Sequence, residues 1–148
     1  MKSSKIVLFC LLILTSGLTF NMSQASQNEM EQESDQPSKL LVVWTSGDKE
    51  VAKNMVFMYT LNAKKNGWWE TVNLLVWGAS SKRLAEDQEL QDYLLKMKEA
   101  GVALFACKAC ADIYGVSDKL SSLGIDVKYM GIPLTQYLKN KEWVTVTF

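Results

Sequence analysis

Apolar residues along the chain fall in short runs separated by longer amphipathic stretches. Leu40 to Trp44 is a compact apolar run ending at Thr45-Ser46-Gly47-Asp48, a turn and helix-start signal. The following stretch, about Asp48 to Lys65, carries Val51, Met55, Met58 and Tyr59 at helical spacing and stops at Asn66-Gly67, which predicts a long helix with that stripe toward the core. Thr71 to Trp77 reads as a second buried strand, Gly78 to Arg83 as a loop, and Leu84 to Ala100 as one helix with Leu90, Tyr93, Leu94 and Met97 on a single face. Val102 to Ala106 is a third strand. Shorter pieces complete the pattern: a helical turn from about Cys107 to Tyr114 closed by Gly115, another from Ser117 to Gly124, a strand from Ile125 to Tyr129, a helix begun by Pro133, and a last strand from Trp143 to Phe148.

Strands that read as continuous apolar runs and alternate with helices predict a parallel sheet covered on both faces. The expected architecture is a three-layer α/β/α domain with five strands. Beside its main stripe, the first long helix also carries Ala52, Val56 and Phe57 on adjacent faces, leaving a narrow polar strip. That surplus predicts a partner surface and hence a homo-oligomer.

The first 39 residues do not join this pattern. Met1 to Ala25 has the three parts of an export signal: Lys2 and Lys5, the apolar run Ile6 to Leu14, and Ser23-Gln24-Ala25 as a small-x-small cleavage site. Nine apolar residues fall well short of the ~20 that cross a bilayer, so no membrane span is expected. The reading is of a protein exported to the periplasm or secreted after cleavage near Ala25. Ser26 to Lys39 is acidic and poor in core-forming residues, and predicts a flexible leader. The domain is expected over residues 40 to 148.

Composition narrows the chemistry sharply. The 148-residue chain has no histidine, which removes Ser-His-Asp and Cys-His catalysis and His-ligated metal. Lys+Arg and Asp+Glu number 16 each, so no electrostatic footprint for nucleic acid exists. Cys10 leaves with the export signal, and Cys107 and Cys110 remain in an oxidising compartment.

Cys107 falls at the carboxyl end of the third strand, the edge at which open α/β sheets bind ligands, with Cys110 one turn into the next helix. Backbone N–H groups at the helix start, aided by the charge of Lys108, favour a thiolate at Cys107; Asp112 and burial under Phe105 oppose it. A reactive thiol or redox pair is one reading and an inert local disulfide or buried pair is another. As a staple the placement is poor, because closing a four-residue loop constrains the unfolded chain by only ~2 kcal/mol, against ~4.7 kcal/mol for 100 residues. A metal would need further ligands from Met97, Met130 or carboxylates; none is assigned, and no cofactor is expected. Anion binding by Ser46 and Gly47 at the first helix start, together with Lys108, is a secondary expectation, against the plainer reading of Ser46-Gly47-Asp48 as a helix cap. The Gly78 to Arg83 loop and the tryptophans Trp68, Trp69 and Trp77 are weaker candidates for an anion site and an aromatic patch.

The stretch Gly101-Val-Ala-Leu-Phe-Ala-Cys-Lys-Ala-Cys-Ala-Asp-Ile-Tyr-Gly-Val116 resembles the DsrE/DsrF-like proteins, in which an apolar strand ends in a cysteine, a short helix follows and a Gly-Val pair closes it. The likeness extends over Leu40 to Phe148. It implies a five-stranded parallel sheet ordered 4-3-2-1-5, assembly into trimers or hexamers, and sulfur-relay chemistry with a sulfur donor or acceptor protein as partner. Cys107 then matches the persulfide-carrying cysteine and Cys110 the second, resolving cysteine of the Cys-x-x-Cys branch. Tyr114 stands where many such proteins have arginine.

Overall fold

The computed structural model describes residues 37–148; the expected export signal and all but the end of the acidic leader lie outside the described residues. Five strands, β1 (Lys39–Trp44), β2 (Thr71–Val76), β3 (Ala103–Cys107), β4 (Asp126–Lys128) and β5 (Trp143–Thr147), form one parallel sheet in the order β4-β3-β2-β1-β5. The central strands β1 and β2 pair over their full length, from Lys39 opposite Thr71 to Trp44 opposite Val76, and are buried on both faces. Their unbroken Val and Leu runs follow from that double burial.

The helices are α1 (Lys49–Val51), continued by a π-helical segment (Ala52–Phe57) and α2 (Met58–Lys65), then α3 (Ala79–Glu86), α4 (Gln88–Glu99), α5 (Lys108–Ile113), α6 (Ser117–Ser122) and α7 (Gly131–Lys139). Alternation along each strand divides the core into two clusters. Leu40, Val42, Trp44, Leu74, Val76, Leu104 and Ala106 point to one face and pack on the first helical stretch, α3, α4 and α6. Leu41, Val43, Leu75 and Cys107 point to the other, where α7 is the main cover. Asn73 Nδ2 on that second face donates to the Tyr137 hydroxyl at 2.9 Å, and the Tyr137 ring meets Trp143 edge-on at 4.6 Å, so α7 is held by a polar anchor and an aromatic contact. The third layer is therefore thin.

Three expectations need correction. The core stripe of the first helix is Ala52, Val56, Phe57, Thr60 and Ala63, whereas Met55 and Met58 are about half exposed, at 50% and 49%. The wider turn of the π-helical segment lets Val56 and Phe57 both face inward, and Phe57 meets the Trp44 ring edge-on at 4.9 Å. Phe57 is thus fully buried and offers nothing to a partner.

Second, Gly78 to Arg83 is not a solvated loop: Ala79 opens α3, and Ser80 and Ser81 are buried. Third, the helix expected over Leu84 to Ala100 is two. Asp87 takes an extended conformation and caps α4 by accepting from Leu90 N–H, while buried Gln91 donates to the carbonyls of Leu84 and Ala85 at the end of α3. The break is stabilised on both sides. Lys49 Nζ bonds both Asp87 and Glu89, tying α4 to the start of α1.

Candidate functional site

β3 delivers Cys107 to the carboxyl edge of the sheet, where it ends the strand with extended backbone and serves as the N-cap residue of α5. Its side chain packs with Leu41, Val43, Leu75 and Met130 and is only 3% exposed. Cys110, in the first turn of α5, is less buried, and both thiols are free. Burial is the main influence pushing the Cys110 thiol above its ordinary range, and hydrogen bonding to Cys107 with the charge on that sulfur pushes the same way. The backbone N–H of Gly78 donates to the Cys110 sulfur and opposes them.

A turn remote in sequence supplies that Gly78 N–H. Trp77 follows the last paired residue of β2 as Cys107 follows Ala106, so the two leave neighbouring strands side by side. The Ser80 hydroxyl donates to Trp44 O at 2.6 Å and accepts from Trp77 N–H at 3.0 Å, while Trp77 N–H also reaches Trp44 O at 2.9 Å. Gly78 then turns with φ +70°, a conformation that a side chain resists, and directs its N–H at α5. Gly78 and Ser80 enter the sequence reading only within a weak anion-site candidate, Gly78 to Arg83, and not as neighbours of the thiols. The available signal was a glycine-serine turn directly after an apolar strand.

The other candidates sit apart. Asp48 caps α1 by accepting from Glu50 and Val51 N–H, and Ser46 Oγ accepts from Asp48 N–H, so the Ser46-Gly47 turn is occupied with starting the helix. Gly47 O accepts from Arg83 Nε at 2.7 Å and borders a hollow with Lys82 and Glu86. Lys108 borders a different hollow with Ser117 and Asp118, where it pairs with Asp112 at 2.6 Å and lies over the Tyr129 ring at 5.7 Å. Ser46, Gly47 and Lys108 do not share a cavity. Trp68 is exposed, Trp69 bonds Tyr59, and Trp77 lies in the second cluster, so the tryptophans form no common patch.

Met130 packs in the cluster that holds Cys107, whereas Met97 lies across the sheet in the other. Among the described residues no group of three or more Cys, Asp or Glu side chains converges as metal ligands. No helix among them is long and apolar enough to cross a membrane.

A five-stranded parallel sheet ordered 4-3-2-1-5 with helices packed on it is the architecture of a DsrE-like domain. The chain belongs to the DsrE/DsrF-like family, whose pattern it matches over residues 38–148, and that membership suggests a sulfur-relay role. Among solved structures it is similar to BT1422 from Bacteroides thetaiotaomicron, a conserved protein of unknown function, with 44% identity, a TM-score of 0.70, and coverage of 74% of this chain and 95% of that one. It also shares its fold with the ychN protein of E. coli, at 17% identity and a TM-score of 0.60, covering 75% of this chain and 99% of that one. No curated protein matches the sequence.

Proposed function

We propose that this protein is a sulfane-sulfur carrier in which Cys107 holds the sulfur as a persulfide and Cys110 is the resolving thiol. The observation that carries the reading is the placement of two free thiols together at the carboxyl edge of the sheet, Cys107 ending β3 and Cys110 in the first turn of α5, with burial pushing the Cys110 thiol up. The thiolate is the nucleophile in such exchanges, and the raised pKa of Cys110 disfavours that thiol as the first to attack.

In the loading step the Cys107 thiolate attacks the outer sulfur of a donor persulfide. A new S–S bond forms at Cys107, the donor's S–S bond breaks, and the donor leaves as a thiolate. In transfer, an acceptor thiolate attacks the outer sulfur and Cys107 departs as thiolate. When no acceptor arrives, Cys110 loses its proton and attacks the inner sulfur. That closes the Cys107–Cys110 disulfide and expels hydrosulfide.

The protein acts in this reading outside the cytoplasm, after cleavage near Ala25, and as a homo-oligomer that meets a sulfur donor or acceptor protein at the Cys107 edge. The near-complete burial of Cys107 favours a second reading, an oligomeric accessory module whose thiols are inert. Intact-mass spectrometry after brief exposure of the reduced protein to inorganic polysulfide separates the two. The carrier gains one sulfur atom, removable by dithiothreitol; an unchanged mass selects the accessory module.

A further inference from the structure

A third sulfur accompanies the two thiols at the carboxyl edge of the sheet. Lys128, the last residue of β4, lies opposite Cys107 in the register, and Met130 follows as the N-cap residue of α7. Met130 is 1% exposed and belongs to the small buried cluster of Leu41, Val43, Leu75 and Cys107, with Cys110 packed against it. A core methionine is ordinarily a gap-filler. This one shares its cluster with both cysteines of the described residues, whereas Met97 lies across the sheet.

The thiols are placed to act on one ion. Cys107 is the N-cap residue of α5 and Cys110 stands three positions later, where the side chains of a first helical turn lie side by side, as in a capping box. Oxygen and nitrogen donors are lacking. Asp112, the carboxylate nearest to the pair in sequence, is held by Lys108 and Ser117, and the chain has no histidine. The donor set is therefore sulfur alone, two thiols and one thioether, in apolar surroundings that suit a soft, weakly hydrated cation rather than a hard one. Structural zinc takes four ligands, and this set stops at three.

We propose that Cys107, Cys110 and Met130 form a site for one soft monovalent cation, Cu(I), held by two thiolates and the Met130 thioether. Each copper–thiolate bond replaces an S–H bond and releases its proton to solvent, and the thioether binds through a lone pair. Copper enters and stays as Cu(I), so no oxidant or reductant takes part. The Gly78 N–H that donates to the Cys110 sulfur supports the negative charge left on the thiolates. Cys110, the less buried thiol, is the point of entry, and Trp77, Phe105 and Leu134 pack around the cluster that encloses the ion. Copper binding does not rest on the sulfur-carrier reading: the thiols hold the metal or the sulfur, one at a time.

Anaerobic titration of the reduced full chain with Cu(I) against bicinchoninate, followed by copper X-ray absorption to count the sulfur ligands, tests this. Cys10→Ser is carried throughout, so that Cys107 and Cys110 are the only thiols present. One copper per chain should be retained, bound by three sulfurs. Met130→Leu, a volume-conserving change, should weaken retention and leave two sulfurs on the metal, while Met97→Leu changes neither. Cys107→Ser and Cys110→Ser should each surrender copper to the competitor. Zn(II) offered to the parent should pass to pyridylazoresorcinol. Should Met130→Leu not fold, the ligand count on the parent decides. Copper surrendered by the parent, copper bound there by only two sulfurs, or Zn(II) held as firmly as Cu(I) overturns the proposal, as does copper shared between two chains. No sulfur donor enters the titration, so its outcome is independent of the polysulfide exposure.

Discussion

The backbone N–H of Gly78, at the end of β2, donates to the sulfur of Cys110 on α5, so two segments remote in sequence meet at one thiol. The contact depends on the φ of +70° at Gly78. Gly78→Ala places a side chain in that conformation and is expected to lower stability by about 1 kcal/mol or more in urea unfolding. Because it also displaces a donor that favours the Cys110 thiolate, alkylation of Cys110 at neutral pH should slow in the folded variant.

Removal of the neighbouring sulfur acts in the opposite sense. Burial raises the Cys110 pKa first, and bonding and charge from Cys107 raise it further. In Cys107→Ala the burial and the opposing Gly78 N–H remain while both contributions of Cys107 are lost, so the alkylation profile of Cys110 should move to lower pH. A profile that does not move would show that the two sulfurs do not interact.

Phe57 and Met58 are adjacent in sequence and opposite in consequence. Phe57→Ala empties a site against Trp44 and should cost about 3–5 kcal/mol by chemical denaturation. Met58→Glu alters an exposed position and should stay within about 0.5 kcal/mol of the parent.

How far the sequence discloses this fold is clearest at such pairs. Apolar runs such as Leu40 to Val43 and Leu74 to Val76 identify parallel strands because double burial leaves no alternation to misread. Cys107 is legible as a candidate site residue because it follows such a run directly. The inward face of the first helix was misread because a π-helical turn rotates the stripe that α-helical spacing anticipates. The division of α3 from α4 depends on Gln91 bonding carbonyls six and seven residues earlier, and the Gly78–Cys110 contact on a turn fixed by Ser80; neither leaves a periodic trace.

Asp87 gives that division a pH signature. Lys49 is the largest influence lowering its pKa, and the bond from Leu90 N–H adds to it. A carboxylate with a depressed folded pKa contributes stability above its unfolded value, here 3.8, and that contribution disappears as pH falls through the lower folded value. Asp87→Ala should cost about 1 kcal/mol at neutral pH through loss of the cap, and the difference from the parent should shrink on acidification below pH 3.8. Denaturant midpoints at a series of pH values provide the check.

The most direct test of sulfur carriage is the site and lifetime of the sulfur adduct in the two single-cysteine variants. After the same polysulfide exposure, peptide mass spectrometry should find no added sulfur on Cys107→Ser and a persulfide at Cys107 in Cys110→Ser. That persulfide should outlast the one on the parent protein, because the resolving attack has been removed. An adduct carried by Cys110 in Cys107→Ser, or none in either variant, would contradict the assignment of Cys107 as the sulfur carrier.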